Sequence, residues 1–164
     1  MRSFFDTNIL VYAHDPDEAS RRAVARALIE NAIEEESFVV STQVLVEFYA
    51  TSVRRRLLGP GQALELVRFW GGFDTVPQTP ELVARGLELH QAHSLAPWDG
   101  LIVQAALDSR CVVLLSEDMQ HGRRFGGLEI ANPFLADAAH EAPSIPYGTG
   151  KASARSRKAR KGSR

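Results

Sequence analysis

The sequence predicts an α/β domain built on a mainly parallel central sheet of about five strands flanked by helices. Short apolar runs rich in Phe, Val, Leu and Ile alternate with longer stretches of helical periodicity, the pattern of strand–helix–strand units. A length of 164 residues suits one domain with a sizeable core. Hydrophobic residues at 45% and charged residues at 24% are an ordinary globular balance, and no apolar run approaches the roughly 20 residues of a membrane span.

The elements follow in order. "RSFF" reads as a short buried strand. From about Asp17 to Glu35, apolar residues recur at helical spacing, with Ala19, Ala23 and Ala27 favouring helix. "SFVVS" is a second strand, and a helix from about Thr42 to Leu57 follows it. "LGPG" at 58–61 breaks the chain before a helix from Gln62 to Trp70, and residues 73–76 leave room for a short third strand. In "TPELVARGLELHQAH", Thr79 caps a helix with proline in its first turn. "PWDGLIVQAALDS" is another helix, "CVVLLS" a strongly buried strand and "LEIANPF" a last short one. Cys111, within "CVVLLS", reads as a small core residue; a lone cysteine and the lack of a signal-peptide pattern make a reducing cytoplasm the simplest compartment.

Charge divides the chain. Residues 151–164 hold seven basic side chains and no acid, among them all three lysines. The rest carries 12 basic against 20 acidic residues, a balance of −8. From about Ala142 the sequence loses periodicity and fills with Gly, Ser, Pro, Lys and Arg. The expected organisation is a folded, acidic domain over 1–137 and a disordered basic tail over 138–164.

Four acids stand out against this frame. Asp6, in "SFFDTNILVYA", sits at the carboxyl end of the first strand, where parallel sheets bind ligands; it equally suits a cap for the next turn or helix. Glu47, in "STQVLVEFYATS", has Gln43, Val44, Ala50 and Thr51 as its helical neighbours and no cation one turn away. Asp99 lies in line with Ile102, Val103 and Ala106, an apolar stripe on which an unpaired charge is costly, although a first-turn acid also satisfies the helix dipole. Asp118, in "SEDMQHG", follows the strand "CVVLLS" and could merely cap a turn. Carboxylates converging in one crevice repel until a cation neutralises them. An oxygen-only set suits Mg²⁺ or Mn²⁺, and no His/Cys set has zinc spacing. Asn8 and the Ser116 hydroxyl are placed to support such a cluster. The usual chemistry of such a site is phosphodiester hydrolysis.

"FFDTNILVYA", Glu47 in "TQVLVEFY", "PWDGLIVQAAL" and "VVLLSEDMQHG" together resemble the four acidic positions of PIN-domain nucleases, over roughly residues 2–135 and in the right order. Within that family, the VapC-like ribonuclease toxins of bacterial toxin–antitoxin pairs are the most similar branch. The resemblance implies a PIN-like three-layer domain, a Mg²⁺- or Mn²⁺-dependent endoribonuclease, usually a homodimer, and a small antitoxin that blocks the site. It further implies that Asp6, Glu47, Asp99 and Asp118 are catalytic metal ligands, directly or through water, with Asn8 and Ser116 supporting them. The long basic tail departs from the family's compact ending.

RNA is an anion and so is the folded part, so binding needs local cations. Arg54, Arg55 and Arg56, with Arg123 and Arg124 beside "SEDMQHG", are candidates to line an RNA groove, or are simply solvated. Trp70 and Trp98 read as core or interface residues rather than base-stacking platforms. Three other readings stand beside the ribonuclease: a non-catalytic RNA- or partner-binding module, a structure-specific DNA nuclease of the flap type, for which the chain looks too short, and a phosphatase of haloacid-dehalogenase type. The phosphatase normally has a second aspartate where Asn8 stands and a lysine near the phosphate; residues 1–150 contain no lysine.

Overall fold

The computed structural model describes residues 1–135. The expected basic tail, over 138–164, lies outside the described residues.

In chain order the elements are β1 (Ser3–Phe5), α1 (Thr7–Tyr12), α2 (Ala19–Glu34), β2 (Phe38–Ser41), α3 (Thr42–Arg54), α4 (Pro60–Trp70), β3 (Asp74–Val76), α5 (Pro80–His93), α6 (Pro97–Asp108), β4 (Val113–Leu115), β5 (Arg124–Phe125) and β6 (Leu128–Ala131). The strands form one sheet in the order β3-β2-β1-β4-β6-β5. All pairings are parallel except β5 with β6. This is the predicted α/β fold with one strand more than expected: β5, two residues long, folds back on β6 at the sheet edge.

Why the sheet needs helices on both faces is visible in β1. Successive side chains of a strand point to opposite faces, yet Phe4 and Phe5 are 0% and 1% exposed. Every residue of β2 is likewise buried, the sign of a strand covered on both sides. The core gathers these strands with Ile9 and Leu10 of α1, Val44 and Phe48 of α3, and Leu101, Ile102 and Val103 of α6. Cys111 is buried and unpaired, as its neighbours suggest.

The helices start where the sequence provides caps. The Ser41 hydroxyl accepts from the Val44 amide at the head of α3, and the Thr79 hydroxyl accepts from the Leu82 amide at the head of α5. Pro60, Pro80 and Pro97 open α4, α5 and α6, where a missing N–H is harmless. α5 and α6 are held unusually close by a glycine pair. A Cβ on Gly100 would lie 2.3 Å from the Gly86 carbonyl oxygen, and one on Gly86 would lie 2.8 Å from Leu101 Cα. No described helix is long and apolar enough to cross a membrane.

Candidate active site

The chain leaves β1 for β2 and β3 on one side and returns to β4 on the other, so the strand order reverses between β1 and β4. In parallel sheets that switch point opens a crevice at the carboxyl ends of the strands. Asp6 immediately follows β1, and its amide donates to the Leu115 carbonyl across to β4, at 3.0 Å. Ser116 and Asp118 follow β4 on the other lip. α3 contributes Glu47 and α6 contributes Asp99. All four acids line a single pocket of about 460 Å³.

Asp6 is 7% exposed and almost fully engaged. Its Oδ1 accepts from the Thr7 amide at 2.7 Å, so Asp6 does cap α1. Its Oδ2 accepts from the Ser116 hydroxyl at 2.6 Å and from Asn8 Nδ2 at 3.3 Å. Asn8 links both lips of the crevice: Nδ2 also donates to Asp118 Oδ2 at 3.1 Å, and Oδ1 accepts from the Glu117 amide at 3.3 Å. Glu47 is held at both oxygens, by the Thr7 hydroxyl at 2.8 Å and by Gln43 Nε2 at 2.9 Å. The same Gln43 amide donates to the Trp98 carbonyl at 3.4 Å, tying α3 to the first turn of α6 beside Asp99.

Two of these acids, Asp6 and Asp99, carry their charge against opposition. Burial, reinforced by the charges of Asp118 and Glu47, raises the Asp6 carboxyl to about 6 despite the opposing bonds from Ser116 and Thr7. Asp99 is raised as well, again chiefly by burial and then by Asp118 and Glu47. Among the described residues, no three His, Cys, Asp or Glu side chains close on one point tightly enough to form a ready ligand set. The acids are arranged around a pocket wall.

A model of the PIN domain matches residues 3–124. The chain belongs to the PIN domain family. No curated protein matches it in sequence. Among solved structures, this PIN domain resembles a chain of a toxin–antitoxin complex from Klebsiella pneumoniae, with 19% identity and a TM-score of 0.58, covering 80% of this chain and 98% of that one. It also resembles VapC20 of Mycobacterium tuberculosis, a toxin that cleaves the sarcin–ricin loop, with 18% identity and a TM-score of 0.59, covering 71% and 91%. At such identities the likeness is one of fold.

The arginines of this PIN domain divide. Arg54 and Arg55 line the pocket. Arg55 Nη2 also pairs at 2.6 Å with Asp15, a carboxylate with no solvent exposure. Arg56 follows the end of α3 with a φ of 58° and is not part of the lining. Arg123 donates to the His93 carbonyl at 2.6 Å and lies over the Phe125 ring, and Arg124 pairs with Glu129 across the β5–β6 turn. Neither lines the pocket: adjacency to "SEDMQHG" in sequence did not carry them there, because the edge hairpin turns them away. His121 accepts from the Asn132 amide at 3.1 Å, a loop-fastening role.

Four pocket residues escaped sequence reasoning. Thr7 and Gln43 orient Glu47, and Gln43 sat in plain view one turn before it. Tyr12 donates to Glu117 at 2.5 Å while Arg21 pairs with the same carboxylate at 2.7 Å, which pins the loop that carries Asp118. Burial and the bond to Glu117 push the Tyr12 hydroxyl up to about 12. Trp98, expected in the core or an interface, is 63% exposed on the pocket rim.

Proposed function

We propose that this PIN domain is a divalent-metal-dependent endoribonuclease and the toxin of a toxin–antitoxin pair. The observation that carries the reading is the gathering of Asp6, Glu47, Asp99 and Asp118 on one pocket, with the Asp6 and Asp99 carboxyls driven upward by burial and by the charges of Asp118 and Glu47. A cluster of that kind costs free energy unless a cation relieves it. The donor set fits Mg²⁺ or Mn²⁺. Mg²⁺ keeps most of its waters and takes only one or two carboxylates directly, so acids spread around a wall suit it. Structural zinc takes a closed tetrahedral set rich in His or Cys, which these residues do not offer.

Asp6 and Asp118, bridged by Asn8, and Glu47 and Asp99, linked through Gln43 and the Trp98 carbonyl, would hold the ion. When bound, it neutralises the carboxylates and lowers the pKa of a nearby water. The residues of the chain do the rest. Ser116, Thr7 and Asn8 keep the Asp6 oxygens from rotating. Arg54 and Arg55 offset the pocket's charge and hold the RNA phosphate against it. A water attacks phosphorus in line, a carboxylate of the cluster accepts its proton, and the bond to the 3′ oxygen breaks, that oxygen taking a proton from solvent. The products carry 5′-phosphate and 3′-hydroxyl ends, because the nucleophile is water and not the RNA 2′-hydroxyl. The resemblance in fold to a chain from a toxin–antitoxin complex supports a small antitoxin as the protein partner.

The test is cleavage of mixed RNA by the full chain in Mg²⁺ and in EDTA. We expect cleavage in Mg²⁺ alone and its loss in Asp99→Asn. RNA binding without any cleavage would contradict the nuclease and favour the non-catalytic module.

A further inference from the structure

The chain has two tryptophans, in opposite settings. Trp70 is 3% exposed and packs edge-on against Phe48 and His14, with ring centroids 4.7 and 5.7 Å away. Trp98 leaves 63% of its surface to solvent on the wall of the acidic pocket, one residue before Asp99. An indole is among the largest apolar side chains, and folding ordinarily removes it from water. Here the backbone is what is secured. Pro97 opens α6, and the Trp98 carbonyl takes the Gln43 amide that also grips Glu47. The ring is therefore anchored in register with two of the four carboxylates while remaining largely in solvent.

That placement meets a need of the site. A pocket walled by carboxylates repels RNA phosphates, and its two lining arginines both stand on the α3 side. Affinity on the α6 side has to come from a contact that charge does not oppose. Stacking of a base on an aromatic ring is such a contact, and it accepts any base. We propose that Trp98 is the stacking platform for an unpaired nucleobase flanking the scissile phosphate. Bases inside a duplex have both faces covered by their neighbours and cannot reach it. The inference rests on the ribonuclease reading above.

Because Trp70 is buried and out of reach of a stacking base, a change in emission on adding RNA reports on Trp98. The experiment mixes protein with a single-stranded RNA oligonucleotide in Mg²⁺, reads emission at early times before turnover, and then measures steady-state cleavage. Single-stranded RNA should quench emission and a duplex of the same sequence should not, with the quench gone in Trp98→Phe. Trp98→Ala should raise KM about tenfold or more with kcat within about threefold, and Trp98→Phe should restore most of the loss. An unchanged KM in Trp98→Ala, an equal quench by duplex, or emission that follows protein concentration instead of RNA would overturn the assignment; the last would mean that a second copy covers the ring. A wild type that is quenched but cuts nothing would overturn the ribonuclease reading and leave Trp98 a stacking residue of a binding module, whereas cutting indifferent to Trp98 would overturn only the stacking role.

Discussion

At neutral pH the Asp6 carboxyl carries its charge where burial opposes it, and the stability of the domain should show this. Its ordinary value is 3.8 and in the folded chain it stands at about 6. Between those two values the folded protein keeps a proton that the unfolded chain has lost. The folded state therefore binds more protons, and stability falls as pH rises through this window. Above about 6 the full cost is present, at most about 3 kcal/mol for that displacement. Asp6→Asn removes the charge and keeps the shape, so it should raise the melting temperature of the metal-free protein at pH 7.5. The gain should shrink toward zero as pH approaches 4. Thermal melts of both proteins across that range decide it; a variant less stable than the wild type at pH 7.5 would contradict the account. Asp6 was legible in the sequence because an acid between buried runs, at a strand end, has few ordinary explanations. Thr7 was not, since its hydroxyl serves Glu47, 40 residues away, and that proximity exists only after folding. The same holds for Arg123 and Arg124, whose sequence neighbourhood pointed to the pocket and whose hairpin does not.

The helices show which parts of the architecture a pattern can reveal. α3, α5 and α6 are long enough for their apolar stripes to be read directly, and Thr79 marked the start of α5. α1 has six residues and β5 has two, too few for either period to repeat, so the stretch after Asp6 read as an apolar run and the sheet appeared one strand smaller. The glycine contact between α5 and α6 left no periodic trace either, although it sets where Asp99 stands. Gly100→Ala would place a Cβ against the Gly86 carbonyl oxygen, a backbone atom that cannot swing aside. The helices must separate, at a cost of about 1–3 kcal/mol as for other overpacked sites. Because Asp99 is the preceding residue, RNA cleavage should fall along with stability. Denaturant unfolding and cleavage assays on Gly100→Ala check both. Full stability in this variant would show that the helices do not meet so closely.

For the whole molecule, the decisive fact is topological. Residues 6, 47, 99 and 118 are far apart in the chain, and the reversal of strand order between β1 and β4, with α3 and α6 leaning over it, brings them to one pocket. The alternation of strands and helices made the fold class readable, and the family match over 3–124 accords with it. The pocket's balance of charge is a property of the assembled fold: Arg54 and Arg55 reach it, and Asp15, buried and paired with Arg55, was invisible as a partner in the sequence. The proposed chemistry requires that these four acids hold one divalent site between them. Titration of the metal-free full chain with Mn²⁺, followed by the loss of the free-ion electron paramagnetic resonance signal, measures it without relying on RNA. Wild type should bind, and Asp6→Asn, Glu47→Gln, Asp99→Asn and Asp118→Asn should each weaken binding about tenfold or more while remaining folded. Affinity unchanged in these variants would contradict it.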